Sequence, residues 1–181
     1  MRFFRIRGLV NSRTSIVFIF VALCFFMLFR YRANVNALQP GQDAPDIRIE
    51  TLAGKKFSLY DFQIPVMITF VNTKTFLTSS IYPDLMLRRI PALKQIQDKY
   101  DVPLLVFMDT DQTAEAVKEK LRSKKYKSLE NTVYLSNIKQ AMDGFGLSSM
   151  PHFFLINGNH TVIYDAKVPS LSTLDAILKG R

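Results

Sequence analysis

Sixteen consecutive residues between Arg13 and Arg30, TSIVFIFVALCFFMLF, carry no charge. No other stretch restricts the chain so much. A helix of that length spans about 24 Å, a little short of the ~30 Å hydrocarbon core of a bilayer. Flanking arginines snorkel and the bilayer thins to meet such a segment. A core helix of a globular domain shows one apolar stripe, whereas this run is apolar on every side and bracketed by arginine. The pattern therefore predicts one N-terminal transmembrane helix over 14–29, a cytoplasmic tail over 1–13, a linker over 30–44 and a folded domain over 45–181.

The charges follow the same division. Arg2, Arg5, Arg7, Arg13, Arg30 and Arg32 precede the first acid, Asp43. Taking these six from the 24 basic residues leaves 18 against 15 acids, so the domain is nearly neutral. The high basicity is an N-terminal property and not the basic face of a nucleic-acid-binding domain. Four arginines precede the apolar run and two follow it. That asymmetry predicts a cytoplasmic N-terminus and an exported domain, on the periplasmic side of a cell inner membrane. An acid-free, arginine-rich start is also the composition of an organellar presequence, which leaves an organellar membrane as the alternative. Val35-Asn36-Ala37 offers small residues to a signal peptidase, but Arg30-Tyr31-Arg32 intervene, and an uncleaved anchor is expected. Cys24 is preceded by Leu23 where lipoprotein processing needs a small residue, so it is expected to be apolar filler.

Beyond the anchor, Pro40-Gly41 and Pro45 mark the entry to the domain. DIRIETLAGKKFSLYDF alternates about Ala53-Gly54 and predicts a hairpin. PVMITFVN and VPLLVFMD predict strands buried on both faces. Met86, Ile90, Leu93, Ile96 and Tyr100 fall on one face of a helix over 84–100, which Pro91 is expected to kink or restart. Ala114, Val117 and Leu121 mark a second helix, running into the basic patch Lys118, Lys120, Arg122, Lys124, Lys125, Lys127, which is expected to be a solvated face. TVYL is a short strand, and 137–145 a short helix closing at Gly144 and Gly146. HFFLINGNHTVIY predicts a hairpin turning at Asn157-Gly158, and LSTLDAIL a last amphipathic helix. The order predicts an α/β domain with a mixed sheet flanked by helices on both faces.

These residues resemble a known family at two ends. GQDAPDIRIETLAGKKFSLYDF and GFGLSSMPHFFLINGNHTVI are similar to the blocks that open and close the thioredoxin-like fold. The match is to the alkyl hydroperoxide reductase/thiol-specific antioxidant branch and to membrane-anchored thiol–disulfide oxidoreductases. The resemblance implies a Cys-x-x-Cys pair beginning five residues after a strand phenylalanine, with a proline five residues after the second cysteine. Counting from Phe70 places Thr75 and Thr78 at those positions and Pro83 at the proline. Cys24 is the only cysteine in the chain. A threonine hydroxyl has no accessible anion near neutral pH and forms no mixed disulfide, so Thr75 and Thr78 are expected to act as helix caps.

The resemblance also implies a cis peptide at Met150-Pro151, and a shallow groove lined by Thr75, Phe76, Met150 and Pro151. Together these features predict a redox-inactive domain that binds rather than turns over, as an accessory or assembly subunit of a membrane complex. The alternatives are a thiol–disulfide oxidoreductase or antioxidant-type protein, as the family implies, and a metal carrier of the copper-chaperone type. Two histidines eight residues apart, His152 and His160, make a weak site, and neither a metal nor a cofactor is expected. Ser79 or Ser80 with His152 lacks the strained turn of a serine hydrolase. The expected partners are the lipid bilayer and a membrane-complex protein.

Overall fold

In the computed structural model, residues 12–31, 36–52, 54–71, 85–108, 114–122, 133–135 and 138–180 are described, and the chain divides into two compact units, Met1–Val35 and Asn36–Arg181. The first contains helix α1, Ser12–Tyr31. Its described side chains, 16–25, are all exposed, including Ile16, Phe18, Phe20 and Phe25. Among the described residues no helix is long and apolar enough to cross a membrane; side chains of α1 outside 16–25 are not among them.

The second unit is built on a mixed sheet. The hairpin β1 (Arg48–Thr51) and β2 (Lys56–Ser58) turns at Gly54, whose φ of 83° suits glycine, and pairs in the register Arg48 with Ser58. A 3-10 turn, Leu59–Asp61, follows, capped by Ser58. Then come β3 (Val66–Val71), α2 (Leu85–Tyr100), β4 (Leu104–Met108), α3 (Ala114–Leu121), β5 (Val133–Leu135) and α4 (Ile138–Gly144). The unit closes with β6 (His152–Ile156), β7 (Val162–Ala166) and α5 (Leu171–Lys179). Among the described residues the strand order is β2-β1-β5-β4-β3-β6-β7, with β3, β4 and β5 parallel and the other pairs antiparallel.

The apolar runs become central strands because both faces of the sheet are covered. Every residue of β3, β4 and β6 is buried. Met67, Val71, Leu104, Val106 and Leu155 meet Met86, Ile90, Leu93 and Ile96 of α2 and Leu174 and Leu178 of α5. Ile68, Phe70, Leu105, Phe107 and Phe154, on the opposite face, meet Ile138 and Ala141 of α4 and the incoming segment at Ala37, Ala44 and Ile47. The helical stripe read from the sequence is the stripe that packs. Helix α2 continues through Pro91 without restarting. Pro91 is exposed, so its ring faces solvent and the helix gives up one backbone bond, that to residue 87.

Two expectations are corrected. Residues 36–44, marked as linker by Pro40-Gly41 and the following Pro45, are part of the domain: Ala37 and Ala44 are buried, and Gly41, Gln42 and Ala44 bond to the backbone of Val162 and His160. The Pro-Gly pattern reports only that the chain turns. The β6–β7 connection spans Asn157 to Thr161 and is not a two-residue turn on Asn157-Gly158. Asn157 Oδ1 accepts from the backbone N–H groups of Asn159 and Thr161, and His160, not Gly158, has the positive φ, 64°. Gly158 is required for another reason: a Cβ there would lie 2.5 Å from the carbonyl oxygen of Gln63.

Candidate functional site

The ends of β3 and β6 define the candidate site. In the antiparallel register of these strands, Phe70 faces His152, which places the residues just before His152 beside the end of β3. The Met150–Pro151 peptide is cis, as the resemblance implies. Both residues are partly exposed, and Met150 packs against the core on the α4 side of the sheet. Thr75, Phe76 and Thr78 lie outside the described residues, as do Ser79 and Ser80; of the expected groove, Met150 and Pro151 are placed.

Next to Pro151 in sequence, at the start of β6, stands a buried polar residue. The His152 side chain is 6% exposed, and its Nε2 stands 3.5 Å from Asp165 Oδ2 on β7. Its ring packs on Phe154, centroid to centroid 4.8 Å. Thr69 Oγ1, also buried, donates to the carbonyl oxygen of His152 at 3.3 Å. Burial pushes the imidazole below its usual pKa; the Asp165 carboxylate pulls the other way without overcoming it, and Lys167 adds to the lowering. An imidazole this buried can hold ring and backbone geometry but offers little surface to a substrate outside. The sequence singled out His152 as a metal candidate and missed Asp165. The observed register explains the pair: with Phe154 opposite Asp165, the carboxylate lies diagonally from residue 152.

His160 lies at the far end of β6 from His152, so the two do not converge. Its Nε2 is 3.0 Å from the carbonyl oxygen of Phe62, and its ring stacks on Tyr60 at 4.1 Å. Among the described residues no group of three His, Cys, Asp or Glu side chains is placed to hold a metal ion. Of the basic patch, Lys118 is partly buried and Arg122 exposed; Lys124, Lys125 and Lys127 lie outside the described residues. A shallow groove between α2 and α5 has its charges already spent on each other. Lys99 Nζ and the Tyr100 hydroxyl both donate to Asp175 Oδ1, at 2.6 and 2.7 Å. The chain's cysteine, Cys24, is exposed on α1.

Comparison with solved structures settles the architecture. A thiol:disulfide interchange protein from Bacteroides sp. superposes with a TM-score of 0.61 at 17% identity, covering 78% of this chain and 90% of that one. The fold is thioredoxin-like. A putative thiol:disulfide interchange protein from Chlorobium tepidum matches with a TM-score of 0.57 at 21% identity, covering 79% and 95% of the two chains. A thiol peroxidase from Chromobacterium violaceum matches at 0.57 and 11% identity, over 80% and 88%. No family model matches the chain, and no curated protein matches it. The thioredoxin-like domain thus resembles thiol–disulfide oxidoreductases in fold, with no cysteine after Cys24.

Proposed function

We propose that this chain is a membrane-anchored, redox-inactive thioredoxin-like protein that binds an extended segment of a partner at the Met150–Pro151 turn, as an accessory or assembly subunit of a membrane complex. One observation carries the reading: a fold shared with thiol–disulfide oxidoreductases has no thiol in residues 36–181. Exchange requires a thiolate to attack a disulfide sulfur, and hydroxyls do not substitute. Binding requires only the scaffold, and an exposed turn beside a buried sheet is suited to pairing with an extended chain.

The anchor rests on the charge-free run and its arginine brackets. The run lies within helix α1, and eight of the ten side chains at 16–25 are large, apolar and exposed. Such a surface is costly in water and at home in lipid. Export of the domain follows from the arginine asymmetry.

A second reading is supported by the names of the structural neighbours: a thiol–disulfide oxidoreductase that uses a cysteine supplied by its partner. The detergent-solubilised chain, assayed alone, should neither reduce insulin disulfides nor consume peroxide. Turnover proportional to protein concentration would overturn the redox-inactive reading. Turnover appearing only with a co-purified, cysteine-bearing partner would favour the second.

A further inference from the structure

The segment that enters the domain is fastened to the loop that carries Met150 and Pro151. Leu38 N–H donates to the carbonyl oxygen of Phe145 at 3.1 Å, and Ala37 is 4% exposed. Gly146 has φ 67°, and a Cβ on it would lie 1.8 Å from the carbonyl oxygen of Asn36. Further along, Pro45 sits against Gly144, where a Cβ would meet its Cγ at 3.0 Å. The C-terminal end of α4 is therefore held between two stretches of the incoming chain, and glycine stands at both contacts. The same end is capped by bonds from Phe145, Gly146 and Leu147 N–H to Ala141, Asp143 and Met142. After Leu147 the chain makes only bends until β6 begins at His152.

We propose that residues 36–38 form a strap that sets the conformation of loop 145–151. The Asn36 carbonyl approaches Gly146 so closely that no side chain fits between them, so the strap and the loop share one packed contact. The strap itself is held by the Leu38 bond to Phe145, a bond from Gln39 Nε2 to the Ala37 carbonyl oxygen at 2.9 Å, the burial of Ala37 and the packing of Leu38, whereas the sheet is held by a full ladder of bonds. Segments with few buried contacts open below the global unfolding free energy. Coupling is reciprocal: releasing the strap loosens the Met150–Pro151 turn, and a ligand that fixes the turn tightens the strap. This last consequence rests on the proposed binding role of the turn; the coupling itself does not.

The test is amide hydrogen exchange on the full chain in detergent, with no partner present. Leu38→Pro removes the donor to Phe145, and Ala37→Asp places a carboxylate in the buried position. Each should speed exchange at 145–151 on the order of tenfold or more, with β3 and β4 unchanged. Gly146→Ala acts from the other side and should speed exchange at Leu38. Acceleration spread equally over the sheet would make residues 36–38 ordinary core and overturn the strap. So would unchanged exchange at 145–151 while Leu38 in Ala37→Asp loses its protection. Because no partner enters the assay, these failures leave the binding role of the turn standing, and failed partner capture leaves the strap standing.

Discussion

His152 Nε2 lies 3.5 Å from Asp165 Oδ2, diagonally across the β6–β7 hairpin. Burial dominates this relationship and holds the imidazole below its ordinary value of 6.5, despite the carboxylate. The unfolded chain thus takes up the proton at higher pH than the folded one does. Above about pH 6.5 neither state is protonated and the full stability is present; as pH falls through the unfolded value, stability is lost, until the folded imidazole protonates too. Urea unfolding at about pH 7.5 and about pH 5.5 should show the wild type weaker at the lower pH. His152→Gln should flatten that difference. An equal loss in both proteins would remove His152 as the cause.

The core on the α4 side centres on Phe70, which is fully buried and has Phe107, Phe145 and Phe154 within 5.3, 5.4 and 6.3 Å, centroid to centroid. Phe70→Ala should destabilise the domain by about 3–5 kcal/mol. Ile64→Ala, at a site 46% exposed, should stay within about 0.5 kcal/mol of wild type. Denaturant midpoints measure both, and similar shifts would contradict the packing described.

How much of this was legible depends on the kind of signal. The strand around Phe70 and the helix stripe from Met86 to Tyr100 were readable because burial imposes a period on the residues themselves. The paired glycines around Phe145 were readable as a helix end, but not as contacts, because what crowds Gly146 is Asn36, more than a hundred residues away in sequence. For the same reason residues 36–44 read as linker: proline and glycine report turning, while the bonds to Val162 and His160 are long-range. His152 drew notice as an isolated histidine. Its partner Asp165 became visible only through the register of β6 on β7, and an Asn157-Gly158 turn of two residues would have given another register.

Gly158 supplies a local test of that connection. Its Cβ position collides with a backbone oxygen, that of Gln63, which has no flexible end to move aside. Gly158→Ala should cost about 1–3 kcal/mol and disturb the His160 contact with the carbonyl oxygen of Phe62. Gly54→Ala has open space and pays only for its positive φ. Equal stability of Gly158→Ala and wild type would mean that the approach of the Gln63 carbonyl relaxes freely.

The proposed topology makes a separate prediction. A reporter that is active only after export, fused after Arg181, should be active, and a reporter that needs the cytoplasm should be silent. The reverse pattern would place the domain on the cytoplasmic side and end the extracytoplasmic reading. A product shortened by about 37 residues in the same experiment would mark cleavage after Ala37.

Restoring the thiols tests whether the redox function is missing its cysteines alone. The register from Phe70 puts the pair at 75 and 78, two positions separated as in a Cys-x-x-Cys motif. In that motif the first thiol gains nucleophilicity from the start of the following helix. Thr75→Cys with Thr78→Cys should form an internal disulfide, because two cysteines one helical turn apart fall within bonding distance. Maleimide labelling under denaturing conditions should therefore add two more tags after reduction than before it, with Cys24 labelled in both. If no disulfide forms at 75 and 78, the register is wrong and the groove must be redrawn around other residues of the segment. If it forms and insulin is then reduced, the domain lacks only sulfur for a working site. Should the disulfide form without activity, redox function lacks more than its two cysteines, as the binding reading expects.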